Sequence, residues 1–216
     1  MPADWKELGA AAKERYADGE RRLPDDGDER QRQLTRMGNA AGAAGLCELM
    51  AGGDGREWLA RAAERYRESW DGAPPGSWGR PIGAIKSRLL AGDWEAAADD
   101  ARWALSAGAA EAESPIGRYA AALAYLVLEE WDDARVHADY ARTHEKFPGE
   151  VADALAFIAA EDVVGYIEAV EDVLESFETR TEYLEGIPVA DTVIVLQALA
   201  GRRGMAAELA SPLLPA

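Results

Sequence analysis

The chain has 216 residues, 40 Asp and Glu against 23 Lys and Arg, and 48% hydrophobic content. Such a length carries one substantial core and such an apolar share excludes a disordered polymer, while a net charge of −17 opposes nucleic-acid backbones and anionic membrane surfaces. The lone Cys47 excludes an internal disulfide and a thiolate zinc site, and no run of about eighteen apolar residues offers a membrane span.

Alanine, leucine and glutamate are abundant and β-branched residues are sparse outside 189–195, so the expected fold class is all-α. The opening MPADWKELGAAAKERY lacks an apolar signal core, so a cytoplasmic location is expected, and it begins a helix over 3–22. LPDDGD at 23–28 breaks the chain before a helix over 28–51, where Cys47 reads as core. AGGDG at 51–55 lacks the Lys and Ser or Thr of a phosphate-binding loop and reads as a turn into a helix over 55–70. DGAPPGS at 71–77 precedes helices over 78–91 and 93–108. Ser114 before Pro115 caps a helix over 115–129, and helices over 131–146, 148–160, 162–179 and 188–200 complete the chain.

An aromatic or large apolar residue followed by small or apolar residues at +3, +7 and +10 recurs. Trp94, Ala97, Ala101 and Ala104 form one set; Trp131, Ala134, Ala138 and Ala141 a second; Tyr166, Ala169, Val173 and Ser176 a third; Leu59, Ala62, Tyr66 and Ser69 fit upstream. At about 100° per residue these offsets fall within roughly 80°, one narrow helical stripe. Stripes recurring at two-helix intervals, with PIG at 81–83 and 115–117 in the intervening helices, indicate a stacked helix-turn-helix array. In outline this resembles the tetratricopeptide class, without its regular first-helix motif. The expected architecture is a right-handed αα-superhelix, an irregular helical bundle being the alternative. It divides into charge-balanced N-terminal helices (1–54), repeats (55–185), and a capping helix with its tail (186–216). Trp103 and Tyr140, nine positions after Trp94 and Trp131, give their helices a second apolar face, as sandwiched helices require.

No catalytic set, cofactor site or metal site emerges. His137 and His144 are too far apart on one helix to share an ion, and Asp133 with His137 reads as a surface ion pair. Acids beside turns, such as Glu129, Glu130, Asp132, Asp133, Glu161 and Asp162, suit helix starts. Asp191, amid apolar residues, should meet a first-turn amide or Arg180.

The charge is uneven. Residues 1–91 hold equal numbers of acids and bases, whereas 92–185 hold the whole acidic excess. This suggests a docking region for a basic protein, with Asp99, Asp100, Asp132, Asp133, Glu168, Glu171, Asp172 and Glu175 as partner-binding candidates; a solubility coat in a salt-adapted cell is the other reading. A scaffold of the second kind would bind peptides in a groove around Trp78, Arg118 and Tyr125.

From Trp58 onward, and most clearly in Leu199, Ala200, Arg203 and Gly204 followed by Ser211, Pro212, Leu214 and Pro215, the chain resembles immunity protein family 49 of bacterial polymorphic-toxin systems. The resemblance implies an all-helical, non-enzymatic protein that binds and neutralises a toxin.

Overall fold

The computed structural model describes residues 3–216 and contains, among them, ten α-helices and no strand. They are α1 (Trp5–Arg21), α2 (Gly27–Met50), α3 (Arg56–Glu68), α4 (Gly79–Leu90), α5 (Trp94–Ser106), α6 (Pro115–Val127), α7 (Trp131–Arg142), α8 (Gly149–Ala160), α9 (Val163–Thr179) and α10 (Asp191–Gly201). Their starts follow local chemistry: the side chains of Asp93, Ser114 and Asp162 accept from the amides of Ala96, Gly117 and Gly165. Two expected boundaries move. Helix α7 stops at Arg142, because Phe147 is buried and Pro148 disfavours helix before it, so His144 lies beyond the helix. Helix α10 starts at Asp191 rather than at 188, because the Val189 amide donates to the Ile187 carbonyl at 2.9 Å in a tight turn about Pro188, with Ile187 and Val189 both turned into apolar contact.

Each helix packs against the next, and α4 touches α6 as α6 touches α8, while α5, α7 and α9 make no comparable contact with one another. The first helices α2, α4, α6 and α8 therefore form the inner layer of an all-α helical-repeat superhelix, and α3, α5, α7 and α9 the outer one. The apolar stripes face inward, but their register needs correcting. Counted from each helix start, Leu59 and Tyr166 match Ala97 and Ala134, not Trp94 and Trp131. The residues at +3, +7 and +10 of all four outer helices are buried, including Val170, Ala63 and Tyr66. A stripe with spacings of three and four nearly superposes on itself when shifted by three, which hides the slip from the sequence.

The two PIG segments have a packing reason. A Cβ on Gly83 would lie 2.7 Å from the ring of Tyr66, and one on Gly117 2.8 Å from Trp78 Nε1. Glycine in each inner helix thus admits an aromatic from earlier in the array. The second-face aromatics also meet earlier units: Trp103 packs edge-on against Trp70, and the Tyr140 hydroxyl donates to the Glu113 carbonyl.

The C-terminal segment does not simply close the end of the array. After α9 the chain crosses back to α1 and α2, where Ile187 and Val189 pack with Ala12, Ala43, Ala44 and Cys47. Helix α10 then runs from α4 to α8 and α9, so residues 183–201 form a strap across the inner layer. Its exit turn is tied to the turns between helix pairs. Arg202 pairs with Glu129 and stacks on Trp94; Arg203 pairs with Glu161, stacks on Trp131 and donates to the carbonyls of Ile158 and Ala159. Glu129 and Glu161 sit at φ 62° and 58°, where the equivalent earlier turn has Gly92 at 69°. Left-handed backbone costs a non-glycine residue about 1 kcal/mol, and here it aims each carboxylate at an arginine of the exit turn. Gln197 bridges the Tyr166 hydroxyl, at 2.7 Å, to the backbone of Ala207, so the strap meets all three motif aromatics.

Candidate functional site

A cavity of about 500 Å³ lies between α2, α4 and the strap. Asn39 and Leu46 line it from α2, Ile82 and Lys86 from α4, and Ile187 and Asp191 from the strap. Lys86 is the strongest polar feature. Its ammonium donates to Asp191 Oδ2 at 2.5 Å and to Thr192 Oγ1 at 3.0 Å, and its side chain is 15% exposed. Burial alone would lower its pKa, but the adjacent Asp191 carboxylate more than offsets this, so the shift is upward and Lys86 stays charged. Asp191 also accepts from the Thr192 amide at 2.8 Å. Of the two partners expected for Asp191, the first-turn amide is thus present, while the charged partner is Lys86, far away in sequence, and not Arg180. On the α2 side the Tyr66 hydroxyl donates to Asn39 Oδ1 at 2.8 Å, and burial pushes its pKa well up.

The acidic candidates separate. Asp99, Asp132, Asp133, Glu168, Glu171, Asp172 and Glu175 are all exposed, on the outer helices α5, α7 and α9. Asp99 is paired with Arg102 of its own helix, whereas none of the other six has a basic partner among the described residues. Asp172 and Glu175 join Glu150 and Asp153 around a shallow depression between α8 and α9, where Arg142, bonded to Asp153, is the nearby base.

Asp100 is a correction. It is 2% exposed and cannot meet a partner; Oδ1 accepts from Arg67 at 2.5 Å and Oδ2 from Arg88 at 3.4 Å. The cause is angular, since three residues after Ala97 and four before Ala104 it sits only about 40–60° from that buried stripe. Asp100 fastens α5 to α3 and α4.

His137 is a second correction. It is 7% exposed, its Nδ1 lies 3.1 Å from Arg118 Nη1, and its ring stacks on Tyr125 with centroids 5.3 Å apart. Burial, followed by the Arg118 charge, lowers its pKa, with Asp133 pulling the other way, so the imidazole is a neutral acceptor rather than half of a surface ion pair. Of the three residues expected around a peptide groove, one is buried and the other two, Arg118 and Tyr125, are half-buried and engaged with His137. Trp78 is buried against Trp70, and Arg118 donates to the Ala110 carbonyl and stacks on Tyr140. Cys47 is buried and its thiol is pushed up to about 11 by desolvation, which leaves it unreactive.

Among the described residues no three His, Cys, Asp or Glu side chains converge as a metal site, and no helix is long and apolar enough to cross a membrane. The sequence reading missed the cavity, although Lys86, following the apolar run PIGAI on an inner helix, was its signal. Compared with family models, curated proteins and solved structures, the chain matches none, so its function has to be read from its own residues.

Proposed function

We propose that the chain is a non-enzymatic, cytoplasmic binding protein that docks a basic protein on the outer face of α7 and α9, in the manner of an immunity protein that neutralises a toxin. The observation that carries this reading is the set of six exposed, unpaired carboxylates, Asp132, Asp133, Glu168, Glu171, Asp172 and Glu175, extended by the depression at Glu150 and Asp153. Crowded like charges repel one another, and a cationic surface relieves that repulsion while gaining steered association. The inner layer, where helical arrays commonly hold peptides, is crossed here by the chain's own strap. Three of the eight residues behind the resemblance to immunity protein family 49 belong to that strap or its exit turn: Leu199 and Ala200 are buried in α10, and Arg203 ties the turn. They support a shared scaffold, and the acidic outer face supplies the binding chemistry.

The test pairs capture with toxicity. Wild-type protein and the quadruple variant Glu168→Lys, Glu171→Lys, Asp172→Lys, Glu175→Lys are used as baits in lysate of the source cell, and captured proteins are identified by mass spectrometry. The expected result is one basic protein held by the wild type and lost by the variant, released as salt is raised, and toxic when expressed without this chain. Equal capture by both baits, or a captured protein harmless on its own, refutes the corresponding half of the proposal.

A further inference from the structure

We infer that the cavity between α2, α4 and the strap binds a small organic anion with an apolar body. The argument starts from the distribution of positive charge. Among the described residues only Lys6, Arg80, Arg118, Lys146 and Arg180 lack a carboxylate at ion-pair distance. In a chain with 40 acids and 23 bases an unpartnered arginine is unexpected, yet two of these five, Arg80 and Arg180, line this one cavity.

Both guanidiniums are held by neutral acceptors, which fixes their position and leaves their charge uncompensated. Arg80 donates through Nε to Ser69 Oγ at 3.0 Å and through Nη2 to Gln31 Oε1, with Nη1 unused. Arg180 donates through Nε to the Ser176 carbonyl at 3.2 Å and through Nη2 to Ser176 Oγ, and its Cζ lies 3.6 Å from the ring centroid of Phe177. Arg180 is also close enough to Lys86 for its charge to act on the ammonium. The lining acids do not cancel this excess: Asp191 is taken by Lys86, and Glu185 is bonded by Arg15, which lies outside the cavity. A cavity lined by three cations and two carboxylates, in a protein of net charge −17, is thus a local inversion of sign.

Between the charges the walls are apolar, with Leu46, Ile82, Leu90, Phe177, Ile187 and Val189. At about 500 Å³ the space is that of a small-molecule site. Arginine forks suit carboxylate or phosphate groups, and the apolar walls suit a hydrocarbon or ring body, so the ligand class is an amphipathic anion. One wall is the strap itself, so occupancy would stabilise the strapped state by mass action.

Trp78 lines the cavity and supplies a fluorescence readout. The probes are octanoate, octanol and inorganic phosphate, titrated into the full chain while tryptophan emission and the melting temperature are followed. Octanoate is expected to give a saturable change and a raised melting temperature. Octanol lacks the charge and phosphate lacks the apolar body, and each is expected to bind at least tenfold more weakly. Arg180→Gln, at an exposed residue whose loss does not threaten folding, is expected to weaken octanoate at least tenfold. Absence of a saturable octanoate response overturns the proposal, as does unchanged affinity in Arg180→Gln. Octanol binding as tightly as octanoate removes the anionic requirement, and phosphate binding as tightly removes the apolar one; either result also overturns it. The wild-type comparison of octanoate with octanol needs no variant.

Discussion

The inner layer and the outer helices treat charge in opposite ways. Where the strap covers α4, Lys86 and Asp191 are withdrawn from water and bonded to each other; where α7 and α9 face solvent, six carboxylates stand without a base. Desolvation explains the contrast. A charge removed from water costs several kcal/mol unless a partner and hydrogen bonds replace the solvent, whereas exposed like charges are screened within a Debye length of about 8 Å at physiological ionic strength. The extremes show it: the most buried acid, Asp100, has two arginines, and the exposed α9 stripe of Glu168, Glu171, Asp172 and Glu175 has none.

If that contrast is right, the largest effect belongs to the inner pair. Asp191→Ala leaves Lys86 covered and unpaired and should cost about 3 kcal/mol in urea unfolding. Adding Lys86→Met should recover most of it, since an apolar side chain of similar length suits the same surroundings. A single Asp191→Ala that loses less than about 1 kcal/mol would mean that the strap lifts and lets water reach Lys86. Next comes Arg203, which caps the end of α8, pairs with Glu161 and covers Trp131. Arg203→Ala should cost about 2 kcal/mol, within the range of hydrogen bonds from a charged donor, and Arg203→Lys should recover little because a single ammonium cannot reproduce the planar fork. Replacing Gly83 by Ala sets a methyl against the Tyr66 ring and should cost about 1–3 kcal/mol through overpacking, whereas Gly79→Ala, with open space around its Cβ, should be close to neutral.

On the outer helices the sign changes. The quadruple lysine variant of α9 should be as stable as wild type to within about 0.5 kcal/mol, and more stable than it at low salt, because repulsion is relieved and no ion pair is lost. Equilibrium unfolding at two salt concentrations checks this. A large loss of stability at both would show that these carboxylates serve the fold and not a partner.

How far the sequence reveals this arrangement depends on the range of the interaction. All ten helices are legible, because Gly, Pro and acid-rich turns act locally and the buried stripes are periodic. The inward direction of Ala97, Ala101 and Ala104 is legible for the same reason. The partners of Asp100 and Asp191 are not. Arg67 and Lys86 reach them across 33 and 105 residues, and no local spacing encodes which neighbouring helix a flanking acid will meet. The path of the strap is hidden likewise, since Ile187, Pro188 and Val189 read equally well as the start of a buried helix. The cavity exists only once that path is known.

The smallest effect falls where an outer helix touches an inner one, at His137 between α7 and α6. Its pKa in the folded protein lies below the ordinary value of about 6.5, through burial first and Arg118 second, against the opposing pull of Asp133 and Glu111. Because the folded pKa is depressed, the unfolded chain takes up the proton first as pH falls. The contribution of His137 to stability is therefore complete above about 6.5, declines as the pH drops from there through the folded pKa, and is constant below it. The carboxylates impose their own pH dependence, but His137→Gln, which keeps an acceptor for Arg118, shares it. The difference between wild type and variant should therefore shift against the wild type between pH 8 and pH 5, read as unfolding free energy in urea. A difference that does not change over that interval would mean that Arg118 moves aside and lets the imidazole charge, and the boundary between the two layers would then be softer than the packing of Tyr125, His137 and Arg118 implies.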